Sequence, residues 1–298
     1  MIESRRDVRT GIATYLVCTF GLSSIFYGLI IHSGHLGAFG GLYVAGLMWC
    51  PGLAALLTCR LRGRAFADLG WQWKPRYQLI SYAIPLAYAL CAYIVVWSTG
   101  LGGFPNREFV DQAAQDAGWT GLPRGIVLIL LVVMTGAIGM ARAAAYALGE
   151  EIGWRGFLVP ELAKITSFTT TALLSGLIWA SWHVPILLFA DYNSGTPAWF
   201  GLTCFTVMVV GISFVLAWLR LRSGSLWTAV FLHASHNLFI QEVLTPLTTD
   251  TGRTKYVIGE FGLALAIVAV AVAILVWRRR AAVEQSSTVL SAVAMQSR

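Results

Sequence analysis

The sequence predicts an all-α fold, a polytopic membrane protein built as a bundle of about eight transmembrane helices. Three observations predict it. Apolar residues make up 57% of the chain and charged residues only 12%, about half the charge of a soluble domain, and mean hydropathy is +0.70. Uncharged runs near the ~20 residues needed to cross ~30 Å of hydrocarbon recur along the chain. The basic residues gather in short clusters between alternate runs.

The runs fall at about 11–32, 37–59, 78–100, 125–147, 168–190, 198–219, 226–246 and 257–277. In lipid each must satisfy its own backbone hydrogen bonds, so each is read as a helix. Arg5, Arg6 and Arg9 precede the first run. It is too long for a signal peptide, and no small-residue cleavage site follows it. Arg60, Arg62, Arg64, Lys74 and Arg76 follow the second, Arg220 and Arg222 the sixth, and Arg278, Arg279 and Arg280 the last. The connections between these hold His32, then Glu108, Asp111 and Asp116 against Arg107 and Arg124, then Asp191 alone, then Asp250 beside Arg253 and Lys255. The alternation follows the positive-inside rule and places both termini in the cytoplasm of a cell (plasma) membrane. The net charge of +7 is thereby explained by topology, and no nucleic-acid partner is expected. Residues 1–280 read as a single transmembrane domain and 281–298 as a disordered cytoplasmic tail. Phe109 to Ala117 is expected as a short surface helix. None of the five cysteines stands in a CxxC spacing, so neither a disulfide framework nor a zinc knuckle is expected.

Against this background polar groups stand out. Glu150-Glu151-Ile152-Gly153-Trp154-Arg155 sets two carboxylates and an arginine beside a nearly uncharged stretch. Ionisable groups in such surroundings are costly and mark function. Glu151 and Arg155 are four apart and share a helix face, while Glu150 is turned ~100° away. A carboxylate in a low-dielectric site has a raised pKa, as a general base needs. His183 lies four residues after Trp179. His233 and Asn237, also four apart, bring an imidazole and an amide that can hold an oxyanion. The bland readings are a solvated acidic helix end, an interfacial histidine and helix-to-helix hydrogen bonds. Jointly, acid, imidazole and amide are enough for water attack on a peptide bond.

These residues resemble the CPBP membrane proteases, the CAAX prenyl endopeptidases and bacteriocin-processing (Abi) proteins. The resemblance rests on Glu150-Glu151-x-x-x-Arg155, Trp179-x-x-x-His183 and His233-x-x-x-Asn237, with Arg155-Gly156-Phe157-Leu158-Val159-Pro160 and Gly224-Ser225-Leu226-Trp227 flanking. It places a protease core at about 125–240. It implies an intramembrane endopeptidase opening towards the cytoplasm, acting on a membrane or lipidated protein or peptide. In that reading Glu150 activates water, helped by His183. His233 and Asn237 position water or hold the oxyanion, and Glu151 and Arg155 orient the site. Glu150, His183 and His233 are the zinc ligands of a metal-dependent version; a metal-free glutamate mechanism fits the same residues. Two departures stand out: Trp179 replaces the usual phenylalanine, and His236 adds a third histidine. The alternative is a non-catalytic membrane scaffold or bacteriocin-immunity protein on the same fold. A rhomboid-like serine site at Ser213 with His233 or His236, and a proton-relaying transporter, are weaker rivals. Depth poses a problem: at ~1.5 Å per residue, His183 lies deeper than His233 if both helices start at the cytoplasmic surface. Either helices start at different depths or 142–164 dips back into the bilayer around a cytoplasm-facing cavity.

Overall fold

A computed structural model describes residues 4–193 and 195–284. Ser4 caps α1 (Arg5–Ser33), its hydroxyl accepting from the Asp7 N–H while the Asp7 carboxylate accepts from the Ser4 backbone. This reciprocal cap satisfies two orphan donors at the helix start. Then come α2 (Leu42–Leu61), α3 (Pro75–Ser98) and the short α4 (Arg107–Asp116), capped by Asn106. The element α5 (Arg124–Met134), α6 (Met140–Glu151) and α7 (Val159–Ile165) is continuous through two π-helical stretches, Thr135–Gly139 and Ile152–Leu158. The chain continues with α8 (Phe168–Phe189), α9 (Ala198–Ser223), α10 (Trp227–Asn237), a third π stretch at Leu238–Leu244, and α11 (Leu263–Trp277).

The chain is an all-α polytopic membrane protein. Six helices are long and apolar enough to cross a membrane: Arg5–Ser33, Ala38–Leu61, Pro75–Ser98, Arg124–Ile165, Phe168–Phe189 and Ala198–Ser223. The seventh and eighth expected runs fall short of that measure for separate reasons. Trp227–Leu244 carries His233, His236, Asn237, Gln241 and Glu242, so it is too polar. Leu263–Trp277 is shorter than the expected 257–277 because the chain before it forms a loop that buries Glu260. The fourth run is longer than expected. Its 42 residues would reach about 63 Å as one straight helix, twice the hydrocarbon thickness.

All connections sort to two ends of the bundle. At one end lie the start of α1, the α2–α3 and α9–α10 connections and the end of α11. Arg62 donates to the Asp7 carbonyl (2.8 Å), Leu226 N–H to the Gly70 carbonyl (2.6 Å), and the Trp218 indole to the Arg279 carbonyl (3.3 Å). At the other end Leu36 N–H donates to Asp191 (2.8 Å), Asn106 N–H to the Leu247 carbonyl (2.8 Å), and Arg124 grips Asp111 through two bonds of 2.7 Å. That grip holds the Asp111 carboxyl below the usual range. The expected surface helix is α4, two residues earlier than its composition indicated, because Asn106 supplies the cap. Of the expected tail, 281–284 is helical and Val283 packs against Phe168 and Phe214; 285–298 lies outside the described residues.

Close backbone packing fixes the acidic pair. Gly149 and Gly153 present a small face to α2. A Cβ on Gly153 would sit 2.5 Å from the Pro51 carbonyl oxygen, and one on Gly52 would sit 2.5 Å from that of Gly149. Small residues four apart allow this approach between helices in lipid, and Glu150 and Glu151 lie between the two glycines.

Candidate active site

Glu150 and Glu151 occur inside a continuous helical element rather than at a solvated helix end. Glu150 is 2% exposed, while Glu151 and Arg155 are 0% exposed. One helical step separates the two carboxylates, and they do different things. Glu151 Oε1 accepts from Arg155 Nη1 (2.8 Å) and from His233 Nδ1 (2.9 Å). The Arg155 guanidinium also donates from Nη2 to Ser213 Oγ (3.2 Å) and lies 4.2 Å from the centre of the Trp179 ring. Glu150 faces elsewhere. Its Oε2 accepts from the Trp179 indole (2.8 Å) and the Trp154 indole (3.2 Å), which leaves Oε1 for the cavity.

That cavity, of ≈ 250 Å³, is lined by Glu150, His183, His233 and Asn237 together. Three separate helical stretches supply them. The remaining lining is largely aromatic and aliphatic, from Trp179, Trp182, Phe205 and neighbours on α2 and α9. Such a pocket, apolar with a few convergent polar groups, is the usual form of an active site. Glu151 and Arg155 do not line it. They stand behind it, where a buried ion pair holds one ring nitrogen of His233.

Both imidazoles are oriented through Nδ1. The carbonyl of Trp179 can only accept, so at 2.9 Å His183 Nδ1 carries the proton; the Glu151 carboxylate imposes the same tautomer on His233. Each ring therefore offers Nε2 to the cavity. This orienting pattern is common to metal-bound histidines. Yet among the described residues no three His, Cys, Asp or Glu side chains are grouped to hold a metal ion. As placed, Glu150, His183 and His233 share a cavity without forming a ligand set.

A second polar cluster reaches the same cavity. His236 hydrogen-bonds through Nδ1 to the Tyr88 hydroxyl and through Nε2 to Glu260 Oε1 (3.1 Å); Tyr192 donates to Glu260 Oε2 (3.0 Å). The Tyr192 ring lies nearly parallel to that of His183, centroids 6.2 Å apart. Glu260 sits in the loop before α11. Burial pushes its carboxyl up, and the hydrogen bonds from His236, Gln241 and Tyr192 more than offset this, so its pKa lies below the usual glutamate range. Sequence reasoning missed Glu260 and Gln241. The signal was present for Glu260, an isolated acid inside the expected run 257–277, but nothing in the chain gave its partner.

Ser213 is not a nucleophile here. It is fully buried, accepts from Arg155 and donates to the Val209 carbonyl (2.8 Å), and it does not line the cavity. The depth problem resolves through offset: the helical element runs on past Glu150 to Ile165, and α10 enters as a short helix that brings His233 level with Glu151. Leu36, Tyr192 and Glu260, from connections at the end away from the termini, also line the cavity.

With this geometry in hand, comparison with known proteins gives two findings. Residues 122–239 match the family model described as Type II CAAX prenyl endopeptidase Rce1-like. The chain is 27% identical over 252 residues to CAAX prenyl protease 2 of Methanococcus maripaludis, covering 80% of this chain and 86% of that protein. Over this stretch the chain is similar to the CPBP proteases. The matched stretch contains all three motifs and every CPBP residue that lines the cavity, from Glu150 to Asn237. It includes His236 and Tyr192 but stops short of Glu260, so the carboxylate of the second cluster comes from outside the matched region.

Proposed function

We propose that this protein is an intramembrane endopeptidase of the cell membrane that hydrolyses a peptide bond with water activated by Glu150. One observation carries the reading: a carboxylate, two imidazoles and an amide, from distant parts of an apolar chain, line one cavity. Glu150 Oε1 takes a proton from water, whose protons the His183 Nε2 lone pair helps to orient. The water oxygen bonds to the scissile carbonyl carbon, and the carbonyl oxygen becomes an oxyanion. Asn237 donates to it through its amide. His233, when protonated on Nε2 opposite the Glu151 carboxylate, donates as well. Glu150 then returns its proton to the leaving nitrogen as the C–N bond breaks.

The substrate in this proposal is a peptide segment in or at the bilayer. Comparative proteomics of membranes carrying wild type or Glu150→Gln tests it. Glutamine keeps the shape and cannot accept the proton, so uncleaved substrate should accumulate in the variant. Cleavage should survive Ser213→Ala, and chelation should leave it unchanged. A cellular phenotype that persists unchanged in both Glu150→Gln and His233→Ala would instead support a scaffold or immunity role. Loss of activity on chelation, restored by zinc, would replace the metal-free version.

A further inference from the structure

A second cavity, of ≈ 450 Å³, lies between α3, α9 and the end of α11. Its lining divides by depth. Arg76, Arg222 and Arg279 form the rim, and Ile84, Val215 and Val276 line the part below it. Arg76 sits in the first turn of α3, Arg222 in the last turn of α9, and Arg279 just past α11. The climb along α3 from Arg76 to Ile84 is about 12 Å. The groove is open to its surroundings: all three arginines are exposed, and Ile80, halfway down the α3 wall, is 39% exposed. Among the described residues, no Asp or Glu lines it.

Rim and wall suit opposite ends of one molecule. Arginine forks match phosphate oxygens. Arg222 also donates to the Ala282 carbonyl (3.5 Å), and the Trp218 indole donates to the Arg279 carbonyl (3.3 Å), which fixes the residues after α11 beside α9. The wall below is apolar and lies at the depth of acyl chains. The positive-inside rule puts this arginine-rich end at the cytoplasmic face, where anionic lipids give the surface a negative potential and basic pockets between spanning helices take their head groups. A free anion would use the rim and leave the apolar wall uncovered. A zwitterionic lipid would cover the wall but bring a cation of its own to the rim.

We infer that this groove is a binding site for an anionic phospholipid, its phosphate among Arg76, Arg222 and Arg279 and an acyl chain along the wall below. The inference stands apart from the peptidase reading. A lipid seated there bridges α3, α9 and the end of α11. The same α9 braces the acidic element: Arg220 donates from Nε to the Arg155 carbonyl (2.8 Å), and Ser213 accepts from Arg155 (3.2 Å). Occupancy therefore stabilises the helix against which Arg155 is held.

The test is a thermal melt of the full-length protein, delipidated in detergent, on titration with phosphatidylglycerol, phosphatidylcholine or inorganic phosphate. Phosphatidylglycerol should raise the midpoint by about 5–10 °C as it saturates the site, and the other two should do little. Arg76→Gln combined with Arg279→Gln should lose most of that response. So should Ile80→Trp, which fills the open wall and keeps every arginine. Arg5→Gln combined with Arg9→Gln removes two arginines at the same end but outside the groove, and should keep the response. All these positions are exposed, so lipid-free midpoints should stay close to that of wild type. Equal shifts from the two lipids overturn the inference, and a full shift from inorganic phosphate makes the rim a free-anion site and overturns it too. A response that survives in the Arg76 and Arg279 double variant or in Ile80→Trp places the lipid elsewhere. One that falls as far in the Arg5 and Arg9 control reduces it to the charge of the whole end, and either result sinks the site.

Discussion

Substituting Glu151 separates what holds the site together from what performs the chemistry. Glu151 is fully buried and its Oε1 serves two donors at once, Arg155 at 2.8 Å and His233 at 2.9 Å. Glu151→Gln preserves volume but strands the Arg155 charge. Removing one partner of a buried pair costs about 3–5 kcal/mol. At about 2–4 °C per kcal/mol for a chain of a few hundred residues, the midpoint should fall by about 6–20 °C. Arg155→Met should cost a similar amount, with added loss from the ring contact on Trp179. The double variant removes both charges and leaves no stranded ion, so much of the lost stability should return. Its activity should not return, because His233 still lacks the carboxylate that fixes its tautomer and stabilises its protonated form. The assay is a thermal melt in detergent on all four proteins, with cleavage of the substrate identified by proteomics measured alongside. If the two single losses simply add in the double variant, Glu151 and Arg155 do not act as a pair. If the double variant regains activity with stability, Glu151 is structural and does not orient His233.

Two further expectations follow from the packing and the second cluster. Gly153→Ala places a methyl 2.5 Å from both the Pro51 carbonyl oxygen and the Tyr15 hydroxyl, so α2 and the acidic element must part; a loss of about 1–3 kcal/mol and a fall in kcat are expected in the same melt and cleavage assays, and an unshifted midpoint would show that the helices do not meet there. Glu260 has a lowered folded-state pKa, so it contributes stability above its unfolded value of about 4.3 that is lost as pH falls through the folded value. The melting advantage of wild type over Glu260→Gln should hold at neutral pH and vanish in acid; an advantage that instead grew with acid would reverse the assigned shift.

Much of this was legible because the solvent is lipid. In an apolar chain a charged or amide side chain has few places to go, so Glu150, Glu151, Arg155, His183, His233 and Asn237 announced themselves, and the i,i+4 spacing correctly paired Glu151 with Arg155. Helix length was less legible. The run expected at 125–147 continues to Ile165 because π stretches let the helix carry Glu150, Glu151 and Arg155 without ending. π turns leave little composition signal and recur at functional sites; here one follows Glu151 directly and another follows Asn237.

The second cluster was illegible for a different reason, and that reason bears on function. Glu260 meets His236 across 24 residues and Tyr192 across 68, through a loop that folds back into the bundle, and no helical period encodes such a meeting. Glu260, which lies beyond the matched region, lines the cavity. It brings a carboxylate next to His236, the one histidine that departs from the family motif. His236 and Glu260 complete each other: without the acid the imidazole would keep only Tyr88, at Nδ1, and without the imidazole the buried acid would keep only Tyr192 and Gln241. Since Tyr192 connects this pair to the face of His183, a change in Glu260 should be felt at the His183 ring.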